Sequence, residues 1–166
     1  MSEVLVVVEH ADGAVTKVTL ELLTIARAIG EPSAVVFGSG VDTAPLAEYG
    51  AEKIYVADGA EYVDHVVRPK AALLADLVAT KSPAAVLIPS GAEGKEIAGR
   101  LALRTDSGVI TDAVDISADG VATQSIFGGA TIVKSKVTQG TPIFTVRPNS
   151  SPAEAAAAAG AVSEVS

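Results

Sequence analysis

The residues able to do chemistry in this chain are few and scattered. There is no cysteine, which excludes disulfides, thiolate catalysis and Cys-type zinc or iron–sulfur sites. Histidine occurs twice, as His10 and His65. His10 follows an aliphatic run and stands beside Glu9 and near Asp12. That is where an open α/β sheet would keep an acid or a base, although His10 reads equally as a loop residue whose ring bonds backbone. His65, beside Asp64 and near Arg68 in a polar segment, reads as surface. Two lone imidazoles and dispersed carboxylates have no metal-ligand spacing.

One stretch has types and spacing that suit a ligand: Pro89-Ser90-Gly91-Ala92-Glu93-Gly94-Lys95. It follows an aliphatic run and opens a helical pattern, where free N–H groups and the helix dipole favour an anion. Ser90, Gly91 and Gly94 would let a nucleotide approach the backbone. The match to a phosphate-binding loop is poor, because the glycine spacing differs, Lys95 is not followed by Ser or Thr, and Glu93 would repel a phosphate. The plainer reading is a capping serine with glycines for a tight turn. A nucleophilic Ser90 is disfavoured too, since G-x-S-x-G is absent. Two arginines are candidates for contacts with a partner or a neighbouring domain. Arg100 follows Glu96 by four residues, the favourable order for a helical ion pair, and Arg147 ends the last strand of the β-rich region in Thr145-Val146-Arg147-Pro148, where a guanidinium suits charge-assisted bonding.

The elements that must position these residues are legible as Val- and Ile-rich runs alternating with helical patterns, the signature of βαβ units on a parallel sheet. Strands are predicted over Val4–Val8, Ala34–Phe37, Lys53–Val56 and Ala85–Ile88. Helices are predicted up to Ile29, ending at Gly30; up to Tyr49; over Pro69–Thr80; and over Ala92–Arg104. Short alternating segments follow: Ile110–Ile116, Val121–Phe127, Ala130–Val137 and Ile143–Val146, with Ala118-Asp119-Gly120 as a hairpin turn. The fold class is therefore α/β, a mostly parallel doubly wound sheet of Rossmann-like, adenine-nucleotide-hydrolase-like type with a β-rich C-terminal extension. Residues 1–150 are expected to form one domain. Beyond Pro152, an Ala-rich helix over Ala153–Ala159 and an unpartnered strand over Ala161–Val165 are expected, as in a piece of a longer chain.

Composition narrows the partners. Twenty acidic residues against twelve basic ones give a net charge of −8 over 166 residues, which repels nucleic acid and anionic lipid. Aromatic residues make up only 4% and Trp is absent, so a base-stacking platform is not expected. The longest aliphatic run, Val4 to Val8, falls far below the ~20 residues a spanning helix needs. Met1-Ser2-Glu3 leads straight into that run with neither a basic n-region nor an Arg-rich amphipathic stretch, so a bacterial cytoplasmic location is expected.

Several segments together resemble the α subunit of the electron transfer flavoprotein family in its N-terminal domain. VLVVVEHADG, Val4 to Gly13, is similar to the family's opening strand, Glu-His pair and Asp-Gly turn. Glu21 to Gly30, Gly50 to Asp58, and the long block from Pro89 to Ile116 with its Gly-x-x-Thr-Asp turn at Gly108–Asp112 continue the resemblance. Phe127-Gly128-Gly129 and Thr145-Val146-Arg147-Pro148 resemble its closing strands. Departures are Glu96 where Asp is common, Ala130 where Asn is expected, and no aromatic shortly after Arg147. The resemblance implies an architectural domain with no catalytic site of its own. It implies FAD held by a further C-terminal flavin domain, to which residues 151–166 would begin the linker, and AMP held by a partner β subunit. The holoprotein would carry electrons from acyl-CoA-type or other dehydrogenases to a quinone oxidoreductase of the respiratory chain. A free-standing adenine-nucleotide-binding module of the universal-stress type is the alternative.

Overall fold

The computed structural model describes residues 2–166. Its centre is strand β1 (Glu3–Val7), whose last four residues are buried. A strand buried on both faces is apolar throughout rather than alternating, because helices cover each side. β1 runs parallel to β4 (Glu31–Phe37) on one side and to β6 (Ala85–Pro89) on the other. Outside β4 lies β5 (Lys53–Ala57), and outside β6 lies β10 (Ile143–Val146). The short ribbon β2 (His10–Ala11) and β3 (Ala14–Val15) turns through Asp12 and Gly13, both at positive φ.

Two helical layers cover this sheet. Helix α1 (Lys17–Ile29) and α2 (Ala44–Glu48) pack Val18, Leu22, Leu23 and Leu46 on one face, with Val4, Val6 and Phe144. Helix α3 (Glu61–Asp64), α4 (Arg68–Lys81) and α5 (Ala92–Thr105) cover the other, with Leu74, Leu77, Ile97 and Leu101 against Leu5, Val86 and Ile88. Burial of each large aliphatic side chain contributes about 1.5–3 kcal/mol, so these interleaved layers supply most of the driving force.

Beyond β10 the character changes. β7 (Val109–Ile116) still runs parallel to β10, but β8 (Val121–Ile126) and β9 (Thr131–Lys136) continue as antiparallel partners. Ser117 to Gly120 closes the β7–β8 hairpin, and a 3-10 turn at Phe127–Gly129 closes β8–β9. With β11 (Ala161–Glu164) the sheet order is β11-β5-β4-β1-β6-β10-β7-β8-β9. The parallel body and antiparallel extension thus form one continuous sheet.

The expected helix over Ala153–Ala159 is absent, and the strand after it has a partner. Residues 151–160 form neither helix nor strand, and β11 pairs parallel to β5. Seven helix-forming residues are too few to hold a helix alone. Instead, Glu154 N–H donates to Thr24 Oγ1, Ala156 N–H to Glu48 O and Ala158 N–H to Ala47 O. Tertiary hydrogen bonds override the local propensity here.

Candidate functional site

Chain order reverses at β1. The connection from β1 leads to β4 and onward to β5, and the next strand, β6, lies on the opposite side of β1. Such a switch point leaves a crevice at the carboxyl ends of the strands. A cleft of about 680 Å³ opens there, between β1, β4 and β6 on one side and α3, α4 and α5 on the other. Val8, Ile88, Pro89 and Ile97 give it an apolar floor. Phe37 and Tyr62 form an aromatic wall, with ring centroids 5.5 Å apart. Burial first, then the charges of Glu61 and Asp76, push the Tyr62 phenol up.

The mouth of the cleft carries the polar groups. The Lys70 ammonium lies 5.9 Å from the Phe37 ring centroid and pairs closely with the Glu93 carboxylate. Glu93 occupies the first turn of α5, whose N-cap Gly91 provides no side-chain cap. The carboxylate therefore stands where the helix dipole favours an anion, and Lys70 neutralises it. His10 reaches across to β4, its Nε2 2.8 Å from the Phe37 carbonyl oxygen. Gly94 is required by packing, since a Cβ there would lie 2.0 Å from the Pro89 carbonyl oxygen.

Ser90 takes no part in the cleft wall. Its Oγ donates to Asp112 Oδ1 at 2.5 Å and lies 3.0 Å from Thr145 Oγ1. The same threonine oxygen accepts the Asp112 N–H at 2.9 Å, and Lys95 Nζ reaches Asp112 Oδ2 at 3.0 Å. Thr145 is fully buried and Asp112 adopts positive φ. The Ser90 hydroxyl first, helped by Lys95 and Arg147 and opposed by burial, holds the Asp112 carboxyl below the usual carboxylate range. These four residues tie β6, β10, β7 and α5 together. Asp112, the carboxylate that accepts the Ser90 proton, is a weak base, because the Ser90 hydroxyl and Lys95 hold it below the usual carboxylate range.

On the far side of Asp112 lies a notch of about 630 Å³, walled by Gln124, Ser125, Ile126, Phe127 and Arg147. Arg147 Nη2 donates to the Ser125 carbonyl at 3.3 Å. The predicted loop is thus divided: Gly91 and Gly94 line the cleft, whereas Ser90 looks toward β7 and β10. Arg100 stands apart, donating twice to Glu96 Oε1, at 3.0 and 2.8 Å, on an exposed helix face. His65 follows α3 and is exposed. Sequence reasoning passed over Lys70, Phe37, Tyr62 and Thr145 as site residues. None carries a local motif, and only the strand order brings them to this edge. Asp112 did sit in a recognisable Gly-x-x-Thr-Asp turn. Among the described residues, no three His, Asp or Glu side chains gather as a metal site, and no helix is long and apolar enough to cross a membrane.

This sheet, with its switch-point cleft and antiparallel extension, matches a known family. The electron transfer flavoprotein domain model covers residues 4–166. The chain belongs to the electron transfer flavoprotein family. It is 49% identical over 164 residues to the electron transfer flavoprotein subunit alpha of Mycobacterium tuberculosis, covering 96% of this chain and 52% of the relative. It is 37% identical over 161 residues to the alpha subunit of Syntrophomonas wolfei, covering 93% of this chain and 51% of that subunit. It is also 32% identical over 155 residues to the LctC subunit of the Acetobacterium woodii lactate dehydrogenase (NAD(+),ferredoxin), covering 86% and 37%. The chain spans about half the length of the alpha subunits it matches, and corresponds to their N-terminal domain.

The family implies FAD, so the cleft can be tested against that group. A pyrophosphate laid at the α5 N-terminus would meet Glu93, with Glu9 also lining the cleft. The first turn after β1 is Glu9-His10-Ala11-Asp12-Gly13, with two carboxylates where a dinucleotide fold has glycines. The residues present do not fit a flavin dinucleotide.

Proposed function

We propose that this chain is the architectural half of an electron transfer flavoprotein alpha subunit. In this reading it binds no flavin itself, and residues 151–166 lead toward a C-terminal domain that holds FAD. The observation that carries it is the Lys70–Glu93 pair at the mouth of the cleft. The anion seat that a nucleotide would use is taken by the domain's own carboxylate, already neutralised. Ser90 supports the reading too, because its hydroxyl is committed to Asp112 and Thr145. The domain pairs with a beta subunit that holds AMP, using Arg147 and Arg100 among its contacts. The assembled protein takes electrons from dehydrogenases and delivers them to a quinone reductase, in the cytoplasm.

The test is direct. The purified 166-residue chain is expected to show no flavin absorbance after incubation with FAD and desalting. A stoichiometric yellow protein would overturn the reading. The cleft volume favours one other reading, an adenine-nucleotide module of the universal-stress type. That reading requires AMP or ATP to raise the melting temperature, whereas the architectural reading requires no shift at millimolar nucleotide.

A further inference from the structure

We infer that the β8–β9 arm is a docking element for a second polypeptide, one presenting an apolar socket rimmed by carboxylates. This deepens the subunit-pairing reading above and rests on it. The first observation is Phe127, which is 82% exposed at the tip of the arm. Its φ is +50°, followed by +64° at Gly128 and +91° at Gly129. A bulky residue in the left-handed region is strained, and no ring contact among the described residues offsets the strain. Ile132, 60% exposed, stands opposite Ser125 in the same ladder. The arm therefore holds an aromatic and an aliphatic side chain in water on a hydrogen-bonded hairpin. Rigid presentation of an aromatic anchor suits an interface hot spot.

The second observation is charge. Between Val121 and Arg147 the chain has three cations, Lys134, Lys136 and Arg147, and no carboxylate, while all twenty acidic residues lie elsewhere. Lys136 lies 4.0 Å from Asp119 at the base of the arm. Asp115 pairs with Thr123 in the adjoining ladder, itself opposite Lys134. Lys134 and Arg147 form no ion pair among the described residues, and Arg147 uses a single N–H on Ser125. Asp112 beside it is already held by Ser90 and Lys95. A guanidinium with free donors next to an exposed phenyl ring suits a carboxylate flanked by an apolar surface. On a chain of net charge −8, this local reversal of sign fits an acidic rim on the partner.

The experiment uses the full-length subunit and its partner subunit, with affinity measured at low and high ionic strength. Phe127→Ala is expected to weaken assembly about tenfold or more. Lys134→Glu with Arg147→Glu is expected to weaken it and to abolish the loss of affinity that the wild type shows as salt rises. Melting curves confirm that each variant remains folded. A photo-crosslinking p-benzoylphenylalanine placed at position 127 is expected to join the partner chain. Unchanged affinity in both variants, or a crosslink only to the same chain or to a second copy of it, would overturn the inference while leaving the pairing itself intact. A wild-type subunit that takes no partner would instead overturn the subunit reading and this inference with it.

Discussion

Two openings at the carboxyl edge of one sheet, on either side of Ser90, have opposite characters. The switch-point cleft has an apolar floor and an aromatic wall, and its one lysine, Lys70, is neutralised by Glu93. The notch under the β8–β9 arm is polar, with an Arg147 that forms no close ion pair among the described residues and a phenyl ring standing in solvent. The fold places a ligand site at the first position, yet this sequence spends its own side chains there. At the second position it leaves groups unsatisfied. The difference teaches that the site a fold offers and the site a sequence uses are separate questions. The side chains that lack partners inside the domain are the better guide to the second.

The comparison can be broken first where α5 packs against the end of β6. Gly94→Ala places a methyl group against the Pro89 carbonyl and is expected to cost about 3 kcal/mol of stability, the upper range for overpacking. Urea unfolding would measure it, and a loss below about 1 kcal/mol would show that α5 can shift away from β6 without harm.

Thr145→Val should cost about 2 kcal/mol, because it leaves the Asp112 N–H without its acceptor and removes one neighbour of Ser90. The same substitution should leave the cleft untouched, which a comparison of Tyr62 fluorescence in the two proteins would check.

Ser90→Ala has a smaller effect, about 1 kcal/mol at neutral pH. Its pH signature is more informative. Asp112 is held below its ordinary pKa, with the Ser90 hydroxyl as the largest cause. A carboxyl depressed in the folded state stabilises the protein above its unfolded pKa, and that stability is lost as pH falls through the folded value. Without Ser90 the folded value rises toward the ordinary one. The stability lost between neutral and acidic pH should therefore be smaller in Ser90→Ala than in the wild type. An unchanged acid limb would show that Lys95 and Arg147, without Ser90, set the charge of Asp112.

The smallest change in stability is expected at the cleft mouth. Glu93→Gln removes one partner of an exposed ion pair and should alter stability by no more than about 1 kcal/mol. It would, however, uncover Lys70 beside the α5 N-terminus. Thermal shift with phosphate or AMP should then respond in the variant and not in the wild type. Equal behaviour would remove the Lys70–Glu93 pair as a barrier to anions in the cleft.

Most of the fold was legible in the chain because hydrophobic periodicity reports burial directly. Val4 to Val8 is apolar on both faces, and only a strand covered by two helical layers makes that arrangement favourable. The hairpin at Ala118-Asp119-Gly120 was legible for the same local reason, glycine at positive φ. The Ala153–Ala159 segment misled, because its propensity is local while its hydrogen-bond partners lie in α1, α2 and the loop before β5. The short helix Glu61–Asp64 was missed, since four residues leave no periodic trace.

What the sequence by itself determined is the sheet, its helical cover, the family and the lack of cysteine or clustered histidine. All but the family are properties of composition or of spacing along the chain, and the family rests on the resemblance of whole segments. What only the tertiary structure decided is the division of the Pro89–Lys95 loop, with Gly91 and Gly94 on the cleft and Ser90 bonded to Asp112 and Thr145. It also decided that Glu93 meets Lys70 from a different helix, and that Arg147 shares one notch with Asp112 and Phe127. These pairings join residues 20 or more positions apart. Strand order and register bring such residues together, and no local pattern in the chain encodes that distance.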